Sequence, residues 1–342
     1  IDMIDCIELT NYGIQKHIQW ENLGNINLVI GGNGSGKTIL LKAIYSALKT
    51  LEQNKRGNII KPIEDILSDK MYWTFQPDKL GDLVNKREKI LSFSLTEEDK
   101  KFAYSFGNET VHQIRNVHTT YDESREEHTI FLPAKEVVSL FSVIQKSRDQ
   151  DAVFGFDDTY LDLVRALQVS PSKGRNNKGY TSIKKKFEDL IDGHIEYDRK
   201  SNQWFFKSGN VKYPMGLTSE GTKKIALFNV LLANRYLTPN SVILIDEPES
   251  ALHPTVIAKY LDMIYELSKS GIQFFIATHS YFVIKKLCIL AQKYKFSIPL
   301  LSLEKEVLPV YANLIDGMPE NSIVEESVRL YEEEINVALG EL

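Results

Sequence analysis

Apolar positions along this chain follow two rhythms. Residues 26–30, 242–245 and 272–276 are short apolar runs, each closed at its carboxyl end by glycine or polar residues. Runs of that length predict strands buried on both faces of a parallel sheet. Elsewhere the period lengthens. Ile39, Leu40, Ala43, Ile44, Ala47, Leu48 and Leu51 recur at helical spacing, as do Ile225, Ala226, Phe228, Leu231 and Leu232, and then Val256, Ile257, Tyr260, Leu261, Ile264 and Leu267. Pro254 can open the last of these helices and Gly271 can stop it, so residues 242–276 read as a strand, a crossover helix and a second strand.

The middle of the chain alternates instead. Stretches at 90–95, 102–106 and 129–132 predict an antiparallel sheet over residues 90–131. Residues 135–190 read as helical with a loop at 170–180, and a hairpin follows, pairing 195–197 with 204–207. After position 279 the pattern predicts a helix over 283–294, strands at 299–303 and 310–315, and an acidic amphipathic helix over 322–342 whose default is to pack on its own domain. The expectation is an α/β protein with a mainly parallel core sheet, an N-terminal antiparallel β lobe and a helical insertion. Its expected parts are 1–134, 135–210 and 211–342.

Composition narrows the function classes. With 342 residues, 43% of them hydrophobic, the chain can bury a sizeable core. A formal net charge of −5 argues against a surface that wraps nucleic acid throughout, although local basic patches remain compatible with it. Cys6 and Cys288 are too few and too distant for a disulfide framework, which points to a reducing, cytoplasmic setting. No apolar run reaches a membrane span and no signal-peptide pattern opens the chain, so the expectation is a soluble protein with no membrane partner. His112, His118 and His128 lack metal-like spacing and read as strand-surface histidines.

One segment carries chemistry without ambiguity of pattern. Gly31-Gly32-Asn33-Gly34-Ser35-Gly36-Lys37-Thr38 satisfies G-x-x-x-x-G-K-[S/T] between a predicted strand and a predicted helix, the context a phosphate loop requires. Glycines let successive N–H groups turn inward toward a polyanion, and the helix start adds its positive end. Lys37 supplies charge to the outer phosphates, and Thr38 offers a hydroxyl to Mg²⁺. The run at 242–245 ends in Asp246-Glu247, where acids at the carboxyl end of a sheet strand meet ligands. Asp246 suits Mg²⁺ and Glu247 suits the general base for an attacking water. His279 closes the next run and should lie beside Glu247. The segment 216–224 is a polar, Gly-containing helix start, readable as an anion site or as an ordinary capped helix.

The order of these features resembles the ATP-binding-cassette ATPases, especially the soluble branch containing SMC, RecF and the OLD-type ATPases of prokaryotes. In that resemblance residues 31–38 match Walker A, 242–247 Walker B, 219–221 the signature motif, 248–252 the D-loop and His279 the switch histidine. Asn11-Tyr12, the stretch at 247–254 and Phe131-Leu132-Pro133-Ala134 agree with the same branch. The signature departs from the transporter sequence, and no paired coiled-coil arms or Toprim nuclease domain fit in the chain. The resemblance implies ATP and Mg²⁺ as cofactors, with Asn33, Gly34, Ser35, Gly36, Lys37, Thr38, Ser219 and Gly221 on the nucleotide. It implies Thr38, Asp246 and Gln76 at the metal, and Glu247, His279 and Lys37 in catalysis; for Gln76 an ordinary loop glutamine reads equally well.

It further implies a head-to-tail homodimer, or a larger homo-oligomer, closing on ATP and controlling a separate effector protein in a prokaryotic defence or toxin-type system. The alternative is a RecF- or SMC-like DNA-repair ATPase with DNA-stimulated hydrolysis. Lys173, Arg175, Lys178 and Lys184–Lys186 are the candidate DNA contacts, with a solvated loop and helix face as the plainer reading. A guanine-reading motif at 85–88 is discounted because it ends in Glu and lacks a preceding apolar strand.

Overall fold

The computed structural model describes residues 3–58, 60–170 and 178–340. In chain order these form β1 (Ile4–Tyr12), β2 (Gln15–Glu21), β3 (Ile26–Ile30), α1 (Lys37–Gln53), α2 (Ile63–Phe75), β4 (Ile90–Glu97), β5 (Lys100–Gly107), β6 (Asn116–Thr119) and β7 (Thr129–Leu132). Then come α3 (Phe141–Gln145), α4 (Asp158–Gln168), α5 (Lys178–Ile191), β8 (His194–Asp198), β9 (Gln203–Ser208), β10 (Val211–Pro214) and α6 (Glu220–Ala233). The last elements are β11 (Val242–Asp246), α7 (Pro254–Ser268), β12 (Gln273–Thr278), α8 (Tyr281–Tyr294), β13 (Pro299–Ser302), β14 (Val310–Asn313) and α9 (Ser322–Leu339).

The central sheet runs β14-β13-β3-β12-β11-β7, parallel except for β14 at one edge. Its inner strands are buried on both faces, and alternate residues feed two cores. Leu28, Ile243, Ile245, Phe274 and Ile276 pack toward α6, α7 and α8. Val29, Leu244, Phe275 and Ala277 pack toward α1 and the second sheet, β2-β1-β4-β5-β6, which is antiparallel. Helix α1 is therefore sandwiched between two sheets, which fixes the phosphate loop at its start. Gln273, at the first position of β12, stitches the sheets together: its amide accepts from Ile4 N–H at 3.0 Å and donates to Ile4 O at 2.8 Å. The expected class, an α/β protein with a mainly parallel core sheet and an N-terminal antiparallel lobe, is what the chain forms.

Three expectations are corrected. Residues 129–132 do not extend the antiparallel sheet; β7 is the outer strand of the parallel one, in register with β11 from Thr129↔Val242 to Leu132↔Ile245. All four of its residues are buried, so the run was too short and too apolar to show alternation. The hairpin at 194–208 gains a third strand, β10, four exposed residues in which Val211 and Tyr213 alternate with Lys212 and Pro214, too short a stretch to predict a strand. The acidic C-terminal helix does not pack along its domain: no residue of α9 is buried, and Val328, Leu330, Tyr331, Ile335, Val337 and Leu339 are exposed. Its first turn holds it, through Asn321, which caps Ile323 N–H at 2.9 Å and bonds Ser302 at 2.6 Å. Lys173 and Arg175, with most of the candidate basic loop, lie outside the described residues.

Candidate functional site

The carboxyl ends of β3, β11 and β12 lie side by side, and the polar residues that closed each apolar run meet there. Gly36 begins α1 in the left-handed region, φ 92°, and a Cβ on it would stand 2.6 Å from the Gln15 amide. The positive φ disfavours any side chain here, and a Cβ would in addition displace the Gln15 amide. The first intrahelical bond runs from Leu40 N–H to Gly36 O at 3.0 Å, so the N–H groups of the turn before it face the loop interior rather than a helical acceptor. Asn33 and Gly34 form the exposed tip, while Ser35 is buried with an unpartnered hydroxyl oxygen.

Lys37 is folded back over the loop, its Nζ donating to Gly31 O at 2.7 Å and Gly32 O at 2.8 Å. Burial lowers its ammonium from the usual lysine range, and Asp246, Glu247 and Glu249 pull the other way. At the next residue, Thr38 Oγ1 donates to Asp246 Oδ2 at 2.8 Å. The second oxygen of Asp246 is buried and has no partner, and desolvation raises this carboxyl above the ordinary aspartate range. A carboxylate with one buried oxygen to spare, beside a threonine hydroxyl, is the donor set a small hard cation takes. Mg²⁺ therefore fits these residues.

Glu247 follows in an unusual backbone, φ 50°, which a non-glycine residue holds only when its surroundings impose it. Its N–H donates to Ala277 O at 2.9 Å, and its carbonyl accepts from Lys224 Nζ at 2.7 Å. The side chain meets His279, Nδ1 to Glu247 Oε1 at 3.1 Å, with Glu249 Oε1 at 3.8 Å. Thr278 Oγ1 donates to Glu249 at 2.7 Å, which fastens the D-loop stretch to the end of β12. Burial pushes the Lys224 ammonium down to about 8, against the pull of Glu249, Asp246 and Glu247.

The remaining expected residues stand apart from this cluster. Ser219 is exposed as the N-cap of α6, its hydroxyl accepting from Thr222 N–H at 3.2 Å, and Leu217 beside it is 77% exposed. Gly221 is packed under the D-loop: a Cβ would stand 2.7 Å from Ala251 O. Gln76 has both ends of its amide on the loop before α4, donating to Phe156 O at 3.1 Å and accepting from Gly155 N–H at 3.0 Å. No hydrogen bond joins it to Thr38 or Asp246 among the described residues. His112, His118 and His128 belong to no metal-binding cluster among the described residues, and His128 stacks on Tyr236 at 4.1 Å between centroids. Lys224, Glu249 and Gln15 were missed by sequence reasoning. Glu249 had a signal in the E-P-E stretch; Lys224 had only its place on the helix after Ser219.

A protein-family profile described as "AAA domain, putative AbiEii toxin, Type IV TA system" matches residues 26–285. A curated relative, the DNA double-strand break repair Rad50 ATPase of Saccharolobus solfataricus, is 29% identical over 104 residues, which is 30% of this chain and 11% of that protein. Among solved structures, an Smc head bound to the C-winged helix domain of ScpA aligns with a TM-score of 0.56 at 15% identity, over 92% of this chain and 98% of that one. An Smc head with an extended coiled coil, bound to the C-terminal domain of ScpA derived from Pyrococcus furiosus, aligns at 0.52 and 13% identity, over 97% and 99%. At such identities the structural likeness establishes the fold.

Proposed function

The chain belongs to this AAA-domain family and has the ABC-class ATPase fold of the SMC/Rad50 branch, and on that premise we propose that it binds and hydrolyses ATP with Mg²⁺ between two copies joined head to tail. The observation that carries the reading is the pair Thr38–Asp246 at 2.8 Å, with an unpartnered buried carboxylate oxygen one residue before Glu247. Bound there, Mg²⁺ would neutralise phosphate charge and fix the phosphates in line for attack. Thr38 and Asp246 hold it. Lys37 exchanges the carbonyls of Gly31 and Gly32 for phosphate oxygens, and the N–H groups at the start of α1, ahead of the first intrahelical bond, would complete the phosphate cradle. Glu247 takes the proton from the attacking water, and His279, 3.1 Å away, orients that carboxylate.

Ser219 is exposed and its hydroxyl bonds only within its own turn, to Thr222, among the described residues, as a residue serving another copy's nucleotide would be. Ser219 and Gly221 are assigned to that role, with the D-loop stretch packed against Gly221 at the same surface. The family description, naming a toxin and a type IV TA system, supports a role in which ATP state controls a separate effector in a prokaryotic defence or toxin-type system. The relative that repairs DNA double-strand breaks supports the second reading, a DNA-stimulated ATPase. One assay separates them: phosphate release from ATP and GTP, with and without Mg²⁺, with and without DNA. The first reading expects Mg²⁺-dependent ATP turnover indifferent to DNA. Glu247→Gln should cut turnover by about 100-fold or more while keeping nucleotide binding, and Lys37→Ala should weaken binding by about 10-fold or more. Normal turnover in Glu247→Gln would remove the base from this assignment.

A further inference from the structure

Lys224 is buried, 3% exposed, on the second turn of α6 and faces the Walker B turn rather than solvent. Among the described residues no carboxylate lies within ion-pair distance of its Nζ; the hydrogen bond it makes is to the main-chain carbonyl of Glu247 at 2.7 Å. A buried ammonium satisfied by one neutral carbonyl is costly, so what it holds in place is the informative part. Its neighbour Lys223 shows the ordinary alternative: equally buried, it lies 3.2 Å from Glu220 and 3.6 Å from Glu136.

What Lys224 holds is the one peptide whose residue must aim a carboxylate at water. Glu247 sits at φ 50°, a conformation that costs a non-glycine residue on the order of 1 kcal/mol and relaxes unless both flanking groups are tied. The N–H is tied by Ala277 of β12, and the carbonyl takes two bonds, from Ser250 N–H at 3.0 Å within the turn and from Lys224 of α6 at 2.7 Å, the latter anchoring the turn to a separate element. Without Lys224 only the local Ser250 bond holds the carbonyl, so the turn loses its anchor to α6 and the side chain can swing away from His279. We propose that Lys224 is the positioning residue for Glu247: it clamps the Glu247 peptide in its left-handed turn, and so sets where the base points, without touching nucleotide. Because α6 begins at Ser219, the clamp also ties the base to the helix whose start would meet the other copy's nucleotide.

This inference rests on Glu247 being the base, and the test separates the two claims. ATP turnover and ATP binding are measured for the full chain, Lys224→Met, Lys224→Arg, Lys223→Met, Glu247→Gln and the Lys224→Met/Glu247→Gln double variant, with melting followed alongside. Methionine keeps the buried stem and removes the donor; arginine restores a donor. Lys224→Met should lower kcat by about 10- to 100-fold with KM and ATP affinity within about twofold. Lys224→Arg should recover part of the loss, and Lys223→Met should lose stability rather than kcat. In the Glu247→Gln background Lys224→Met should cost nothing further, since there is no base left to aim. Unchanged kcat in Lys224→Met, equal losses in kcat and affinity, or a full additive loss in the double variant would overturn the positioning role while leaving ATP hydrolysis standing. No turnover by the unaltered chain would overturn both. If Lys224→Met fails to fold, Lys224→Arg decides alone: a melting point near that of the unaltered chain, with kcat retained and KM unchanged, supports the clamp, and a folded but inactive Lys224→Arg refutes it.

Discussion

Lys224 also makes a thermodynamic statement that is independent of turnover. Its ammonium titrates near 8 in the folded chain, against the usual 10.4 of a free lysine, because burial outweighs the attraction of Glu249, Asp246 and Glu247. Between those values the unfolded chain holds a proton that the folded chain has released, so stability rises as pH climbs from about 8 to about 10. Below pH 8 both states are charged and the folded one bears a constant net cost on the order of 3 kcal/mol. Lys224→Met should therefore melt higher than the unaltered chain at pH 7, with a difference that shrinks toward pH 10. Thermal melts at the two pH values check it, and a lower melting point at pH 7 would contradict the burial account. A variant more stable yet slower is what a residue kept for the site rather than for the fold produces. This is also why sequence could not find it. The phosphate loop, Asp246 and Glu247 are legible because each is contiguous with the strand that positions it. Lys224 acts across the fold, on a main-chain carbonyl that belongs to a residue of another element, and nothing in its own neighbours distinguishes it from Lys223.

At the scale of elements, the long apolar runs and the strong helical periods were legible because burial, on both faces of a strand or along one side of a helix, admits few polar residues, and those present, such as Asn27 and Gln273, are hydrogen-bonded. β3, β11 and β12 follow from burial on two faces, and α1 and α7 from the period of one buried face. β7 could not be placed, since four buried residues are compatible with either sheet and only its pairing with β11 decides. The exposed β10 offered only Val211 and Tyr213 in alternation, too short a stretch to stand out. α9 was legible as a helix but not in its placement, because an amphipathic pattern says that an apolar face exists and not what covers it. Val324, Val328, Tyr331 and Ile335 keep a spacing of four, three and four along one side, flanked by Glu325, Glu332 and Glu334, and the last three apolar residues of that stripe are exposed. Since none of the helix is buried, it adds little to the stability of the rest. Truncation after Ser327 should leave the melting temperature within about 2 °C and ATP turnover unchanged. A drop much beyond that, in a differential scanning experiment on the two lengths, would mean that the helix is covered in solution.

At the scale of the whole molecule, the arrangement divides the proposed machinery into two surfaces. Lys37, Thr38, Asp246, Glu247 and His279 converge at one end of the parallel sheet, while Ser219 and Leu217 stand exposed at the start of α6. If a second copy closes on the first with two-fold symmetry, each of the two composite sites takes its lysine from one chain and its serine from the other. That geometry makes a prediction that no single-chain site can satisfy. Lys37→Ala alone and Ser219→Arg alone should each be nearly inactive, because every site in either homodimer lacks one part. Mixed, the two variants form hybrids in which one site lacks both parts and the other lacks neither. Random pairing at equal amounts makes half of the dimers hybrid, each with one of two sites intact, so turnover should return to about a quarter of the unaltered level when sites act independently. Strong coupling between sites lowers that fraction but leaves it above the sum of the two variants measured separately. Turnover equal to that sum, at concentrations where sedimentation shows mixed dimers, would place Ser219 and Lys37 in the same chain's site or in none, and the head-to-tail arrangement would fall.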